Sequence, residues 1–297
     1  VNSIIKANNN IICETNGTFG EVLQGFLPNR KHFLVTLPIN IKSQAIFLSD
    51  SSVNEVKVYP AHKNKVVKAL SLLKKEYKIN LGGTLIIKSD IPEGKGMASS
   101  SADIVSSLNA ILQYLVKNRD FNELNSVEII ENITRSIEPT DGVMYEDCVF
   151  YYHREAKIGN KLGALPEMLI LAVDEGGEVD TIKHNMAADH FNQEESLKYE
   201  RLLNELEFAI KNKDIFKIGE ISTASAKLNQ TKLEKKNLRM FLEFRKLNSV
   251  MGVVIAHSGT MIGVIVNPKL TSVSKDIQSM IFSLTSKNLK PSIYLNF

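Results

Sequence analysis

Cysteine is scarce in this 297-residue chain: Cys13 and Cys148 are the only two. Two thiols so far apart exclude a disulfide framework and a cysteine-rich metal site. The six histidines fall at no His-x-x-x-His spacing and no Cys-x-x-Cys occurs, so no dedicated zinc site is expected. No apolar run reaches the ~18 residues of a membrane span, and the N-terminus lacks the charged-then-apolar order of a signal peptide. An excess of one charge is missing too. Lys and Arg total 36 against 33 Asp and Glu, a net charge of +3, which is too little to point to nucleic acid. The densest basic cluster is Lys232, Lys235, Lys236 and Arg239; it is mixed with helix formers and reads as a solvated helix face. These absences predict a cytoplasmic globular protein, monomer or homodimer, with no nucleic-acid or membrane partner. The length predicts two domains.

The first ~90 residues alternate short β-rich runs with turn signals. Ile11–Glu14, Phe33–Thr36, Ala45–Leu48, Glu55–Tyr59 and Thr84–Lys88 are predicted strands, and Val66–Lys75 a helix. Apolar residues Ala102, Val105, Leu108, Leu112 and Leu115 recur at spacings of three and four, one face of a helix. A second helix follows from Leu124 to Ile137 and stops at Pro139. The Gly- and Pro-bearing segment Glu155–Pro166 is the predicted boundary, giving domains 1–160 and 161–297. Beyond it the pattern predicts a strand at Met168–Val173, helices near 194–211, 214–229 and 231–247, strands Gly252–His257 and Met261–Val266, a helix near 270–286 and a strand Ser292–Asn296. That β-α-β-β-α-β order is ferredoxin-like with extra helices, an α+β class.

One stretch carries chemistry. Residues 92–103 read PEGKGMASSSAD, between a predicted strand and a predicted helix. A helix N-terminus leaves backbone N–H groups unpaired and favours negative charge. Gly94 and Gly96 let backbone approach a phosphate closely, Lys95 adds a positive charge, and a serine hydroxyl can ligate a phosphate-bound magnesium ion. Neither the Walker spacing nor the dinucleotide fingerprint is present. The spacing by itself leaves two options open: a phosphate cradle, or a plain strand-to-helix connection with a serine cap.

The stretch Pro92-x-Gly94-x-Gly96-Met97-Ala98-Ser99-Ser100-Ser101 resembles the phosphate loop of the GHMP kinases, whose pattern is Pro-x-Gly-x-Gly-Leu-Gly-Ser-Ser-Ala. Here Ala98 replaces the third glycine. GTFGEVLQG (17–25) is similar to that family's first motif and AHSGT (256–260) to its third. IEPTDGVM (137–144), DEGGEVDT (174–181) and SAKLNQ (225–230) sharpen the resemblance to the bacterial L-threonine kinase subgroup, which serves cobalamin biosynthesis.

The resemblance implies a GHMP kinase fold, with an N-terminal domain like the second domain of ribosomal protein S5 and a ferredoxin-like C-terminal domain. It implies ATP and Mg2+ as cofactors and a small hydroxy compound as phosphoryl acceptor. The loop from Pro92 through Ser101 is expected to hold the ATP phosphates, with Ser100 as a magnesium ligand. Asp141, in a turn after Pro139, is expected to face the acceptor hydroxyl, where phosphoryl transfer needs a carboxylate. Glu131 is nearest in register to the family's second metal ligand, with Glu138 its competitor. Glu21, Gln24, Asp141, Asp174, Glu175, Ser258 and Gly259 are the expected substrate contacts, with Arg135 a candidate for an acceptor carboxylate. The alternatives are another acceptor (serine, homoserine or a natural-product precursor) and a non-catalytic binding or regulatory protein of the same fold.

Overall fold

The computed structural model describes residues 10–118, 125–177 and 191–296. Its spine is a hairpin of two long strands, β1 (Asn10–Phe26) and β2 (His32–Ser49). The pairing runs from Asn10↔Leu48 to Phe26↔His32. The early part of β1 alternates, with Ile11, Cys13 and Thr15 buried and Asn10, Ile12 and Glu14 exposed, as expected where one face meets a core. From Gly17 to Gln24 every residue is buried, because β1 there has protein on both faces. The register shifts three times between Asn16 and Leu23. These bulges let one strand serve two environments. The three short strands predicted here are therefore parts of two long ones.

The remaining strands are β3 (Val56–Tyr59), β4 (Gly83–Ser89), β5 (Cys148–Tyr152), β6 (Lys157–Gly163), β7 (Leu169–Asp174), β8 (Val250–Ile255), β9 (Met261–Val266) and β10 (Pro291–Leu295). They make one sheet in the order β10-β7-β9-β8-β1-β2-β4-β3, with the β5–β6 hairpin joined to β2. Among the described strands only β3 pairs in parallel, with β4; the other pairs are antiparallel. The described helices are α1 (Asn64–Glu76), α2 (Ser99–Asn118), α3 (Ser126–Arg135), α4 (Gln193–Lys211), α5 (Ile215–Asn229), α6 (Leu238–Phe244) and α7 (Val273–Thr285). The described helices include none long and apolar enough to cross a membrane.

The second half shows the expected order of a ferredoxin-like unit, with β7 between β9 and β10 and extra helices before β8. Its sheet joins the first half at one register point, Glu21↔Ile255. One core cluster draws on both halves, including Phe19, Phe26 and Phe33 from the first and Tyr199, Ile218 and Ile265 from the second. A second cluster lies under α1, α2 and α3. The division at 160/161 falls inside β6, whose Gly159 lies flat against the Phe150 ring; a Cβ there would come within 2.2 Å of it.

Two further departures have local causes. The helix expected over 231–247 is only α6, because Glu175 accepts the N–H groups of Lys236 (3.2 Å) and Asn237 (2.6 Å) and Gln230 accepts that of Lys235 (3.1 Å). Lys235, read as part of a solvated face, is buried and donates to the Gly259 carbonyl. The second-helix expectation is met by α3, while its Leu124 lies outside the described residues.

Candidate active site

Three residues of the 92–98 loop have positive φ: Gly94 at 71°, Gly96 at 76° and Ala98 at 61°. Gly96 needs its missing side chain for a second reason. A Cβ would lie 2.7 Å from the Ala256 side chain and 2.8 Å from Gly259 Cα. The Ser-Gly turn between β8 and β9 therefore closes directly on the loop. Ala98 stands where the family pattern has glycine and keeps the left-handed conformation in spite of its Cβ, at a cost of about 1–2 kcal/mol. Its carbonyl accepts the Ala102 N–H at 2.8 Å, which starts α2. From the other side the Met97 carbonyl accepts the Thr18 N–H at 3.2 Å, so β1 braces the loop.

Two carboxylates follow α3 and face the first turn of α2. Ser100 Oγ donates to Glu138 Oε1 at 2.6 Å, and Lys65 Nζ from α1 meets Glu138 Oε2 at 2.5 Å. Ser101 Oγ donates to Asp141 Oδ2 at 3.3 Å and accepts from Thr140 Oγ1 at 3.0 Å and the Asp141 N–H at 3.3 Å. Burial first, and the nearby Glu138 charge second, push the Asp141 carboxyl up to about 6, against the Ser101 hydrogen bond. Beneath it, Glu21 is fully buried, and burial followed by the Asp141 charge pushes it well above the carboxylate range. Glu21 Oε2 has no hydrogen-bond partner among the described residues.

The loop and the first turn of α2 line a cleft of about 200 Å³ together with Glu138 and Asp141, its walls including Pro92, Gly94, Ser99 and Ser100. Its opposite wall brings His257 and Ser258 from the β8–β9 turn together with His153. Across the loop is a second cleft of about 300 Å³, lined by His62, Lys63, Asn64, Val66 and Glu93. Lys65, Gly94, Ser99 and Ser100 border both. Ser99 Oγ is buried and unpartnered among the described residues. Lys63 is held by Glu93 at 2.5 Å and Asp103 at 2.6 Å, and Asp103 by Ser43 at 2.5 Å.

Of the other expected residues, Glu131 accepts from Tyr145 Oη (2.9 Å) and the Ile158 N–H (3.1 Å) and is not part of the cleft wall. Glu138, its competitor, is the carboxylate that meets Ser100. Gln24 is buried beneath the wall, where its Oε1 is 2.6 Å from His257 Nδ1. Asp174 meets Lys95 Nζ at 2.8 Å and accepts from Thr260 Oγ1 at 2.5 Å and the Gly176 N–H at 2.9 Å. Burial would raise its carboxyl, but these partners outweigh that and hold it below the usual value. Glu175 is occupied by the start of α6, and Arg135 Nε donates to the Glu155 carbonyl at 2.6 Å. Gly259 packs on Lys95 and Gly96, backed by the buried Lys235 amine, which burial lowers to about 8 against the pull of Glu175 and Asp174.

Sequence reasoning missed Lys65, His153 and His257. His257 adjoins the Ser-Gly turn, a usable signal; Lys65 and His153 have none, because only folding brings them to the loop.

Residues 64–145 match the GHMP kinases N terminal domain. Over 271 residues the chain is 24% identical to an L-threonine kinase of Citrobacter freundii, covering 91% of this chain and 90% of that one. Among solved structures, homoserine kinase from Cytophaga hutchinsonii superposes with a TM-score of 0.72 at 13% identity, over 100% of this chain and 97% of that one. A structure of MDDEF in complex with MVAPP, AMPPCP and magnesium superposes with a TM-score of 0.69 at 14% identity, over 97% and 98%. The chain thus carries a GHMP kinases N-terminal domain, from α1 to the turn after Asp141, within a mixed α/β fold shared with the GHMP kinases.

Proposed function

We propose that this protein is an ATP-dependent kinase that phosphorylates the hydroxyl of L-threonine or a closely related small hydroxy compound. One observation carries the reading: Asp141 and the Ser100–Glu138 pair face one cleft at the N-terminus of α2, against a loop curled by three positive-φ residues. Such a loop presents N–H groups to phosphate. The 92–98 loop and the first turn of α2 would bind the ATP phosphates, and the cleft around Lys63 and Asn64 would take the nucleoside. Relatives named for L-threonine supply the acceptor.

Magnesium fits the residues present. Ser100 Oγ and the Glu138 carboxylate are hard oxygen donors already at contact distance, and magnesium favours one or two protein oxygens beside phosphates. No cluster of three or more His, Cys, Asp or Glu able to hold a metal occurs among the described residues, which suits an ion held mainly by nucleotide. When bound there it would neutralise phosphate charge.

The chain's own residues do the rest. Asp141 orients the acceptor hydroxyl and takes its proton as the oxygen attacks the γ-phosphorus. The bond to the β-phosphate oxygen breaks, and ADP leaves with that electron pair. Ser101 and the Asp141 main-chain N–H fix the turn that aims the carboxylate. Lys65 holds Glu138 in place.

The test is ADP release on adding L-threonine, with serine and homoserine in parallel. Asp141→Asn should lower kcat at least about 100-fold, and Glu138→Gln should raise the magnesium needed for half-maximal rate. Unchanged turnover in Asp141→Asn refutes the base assignment. Rates that are the same with and without threonine, but raised by another alcohol, replace the acceptor. ATP binding with no product from any hydroxy compound favours the non-catalytic reading.

A further inference from the structure

The 92–98 loop rests on a buried cation. Lys235 is 2% exposed, a rare state for a lysine. Its main chain is fixed by Gln230, whose Oε1 accepts the Lys235 N–H at 3.1 Å and whose Nε2 donates to the Lys235 carbonyl at 3.1 Å. The amine donates to the Gly259 carbonyl, its one hydrogen-bond acceptor among the described residues. Burial lowers the amine to about 8, against the pull of Glu175 and Asp174 where β7 ends. At neutral pH it therefore still carries its charge.

Gly259 is where that amine meets the site. A Cβ on Gly259 would lie 2.0 Å from the Lys95 carbonyl oxygen and 2.3 Å from the Gly96 nitrogen. The backbone that Lys235 holds is thus pressed directly on the loop. The loop's own cation is engaged elsewhere, because Lys95 Nζ meets Asp174 at 2.8 Å and the Gly177 carbonyl at 3.1 Å. The two carboxylates that act on Lys235 have other partners as well. Asp174 accepts from Thr260 Oγ1 at 2.5 Å, and Glu175 accepts the Asn237 N–H at 2.6 Å. His257 stands two residues ahead of Gly259 in the same turn. A charge buried in this way is screened less by water and salt than an exposed one, so it acts on neighbouring groups it does not touch.

We propose that Lys235 is a positioning residue for the nucleotide: its ammonium holds the Ser258-Gly259 turn on the 92–98 loop and supplies the fixed positive charge behind it that favours ATP phosphates. The proposal rests on the kinase reading for the place of the phosphates and adds what sets their affinity. Lys235 acts through the Gly259 backbone and through its field, and it touches neither nucleotide nor acceptor. Its effect therefore falls on nucleotide binding and leaves the chemical step to Asp141. Because the charge is that of an amine, loss of its proton weakens the hold on phosphate, and affinity for ATP falls as pH rises.

The experiment is calorimetric binding of a non-hydrolysable ATP analogue with magnesium, and of adenosine, to the full chain. Lys235→Met keeps an apolar stem and removes the charge. It should weaken the analogue at least about tenfold and leave adenosine within about twofold. Wild-type affinity for the analogue should itself fall about tenfold between about pH 7 and about pH 9.5, and Lys235→Met should show no such fall. In turnover the variant should raise KM for ATP with kcat within about threefold of wild type. An unchanged affinity for the analogue overturns the proposal, as does an equal loss for analogue and adenosine, which marks a purely structural lysine. If Lys235→Met does not fold, the wild-type pH series decides, and an affinity constant over that range overturns the proposal. ADP release is scored separately. Turnover by a variant with unaltered nucleotide affinity sinks the lysine reading and leaves the kinase standing, whereas weakened analogue binding in a protein that phosphorylates no hydroxy compound does the reverse.

Discussion

At the scale of the residue, Asp141 shows how one side chain links the fold to the chemistry. Its carboxyl is raised from 3.8 to about 6, chiefly by burial, so the folded chain holds that proton more tightly than the unfolded one. The resulting stability is present in full below about pH 4 and is lost as pH rises through about 6. Above that pH, in the absence of nucleotide and metal, the fold carries a poorly solvated charge. Asp141→Asn should therefore be more stable than wild type at about pH 8, by on the order of 3 kcal/mol, and nearly equal to it at about pH 3. Urea denaturation at the two pH values checks this, and a stability difference independent of pH refutes it. Ala98 is the converse case. Its replacement of the family glycine leaves the sequence ambiguous, and only its φ of 61° shows that the loop keeps its shape. Glu131 and Glu138 were rivals in the register that the resemblance implies, and in the fold it is Glu138 that meets Ser100. Glu138 lies in the turn that ends α3, where its N–H donates to the Thr134 carbonyl at 3.2 Å, and its side chain reaches Ser100 from there.

At the scale of the element, close backbone approach sets the relation between the site and its support. Helix α5 lies on β8 through two glycines: a Cβ on Gly252 would come 1.9 Å from the Gly219 carbonyl oxygen, and one on Gly219 would come 2.4 Å from the Met251 backbone. The same helix carries Ser225, which holds the β1 backbone at Gln24. Gly252→Ala should force the helix outward and destabilise the protein by about 3 kcal/mol or more; a melting temperature within a degree or so of wild type would refute this. The periodic helices α1, α2 and α5 were legible because apolar spacing registers which face meets a core. Strands β5 and β6 were not. The β6 sequence KIGNKLG is polar and largely exposed, and it is a strand because it pairs with β5. The long β1 also escaped the reading, since its buried stretch has no alternation to display.

At the scale of the whole molecule, the continuous sheet and the mixed core decide how the chain behaves. Phe19 and Phe33 share a cluster with Tyr199 and Ile265, so neither half keeps its apolar surface covered when the other unfolds. One calorimetric transition is expected, with the van't Hoff and calorimetric enthalpies equal. Two resolved transitions would show that the halves are independently stable. The candidate site lies where β1 meets β8, at Glu21↔Ile255, and it takes residues from both sides of that seam. The sequence alone determined the order of most elements and the glycine-bearing loop ahead of α2, because each is written in local spacing, while the expectation for Asp141 came from the family resemblance. Tertiary structure alone decided which carboxylate meets Ser100, which basic side chain from α1 lines the cleft and what lies beneath Asp141. Those outcomes depend on contacts between residues far apart in the chain, such as Gln24 with His257, 233 positions away, and local periodicity contains no record of them.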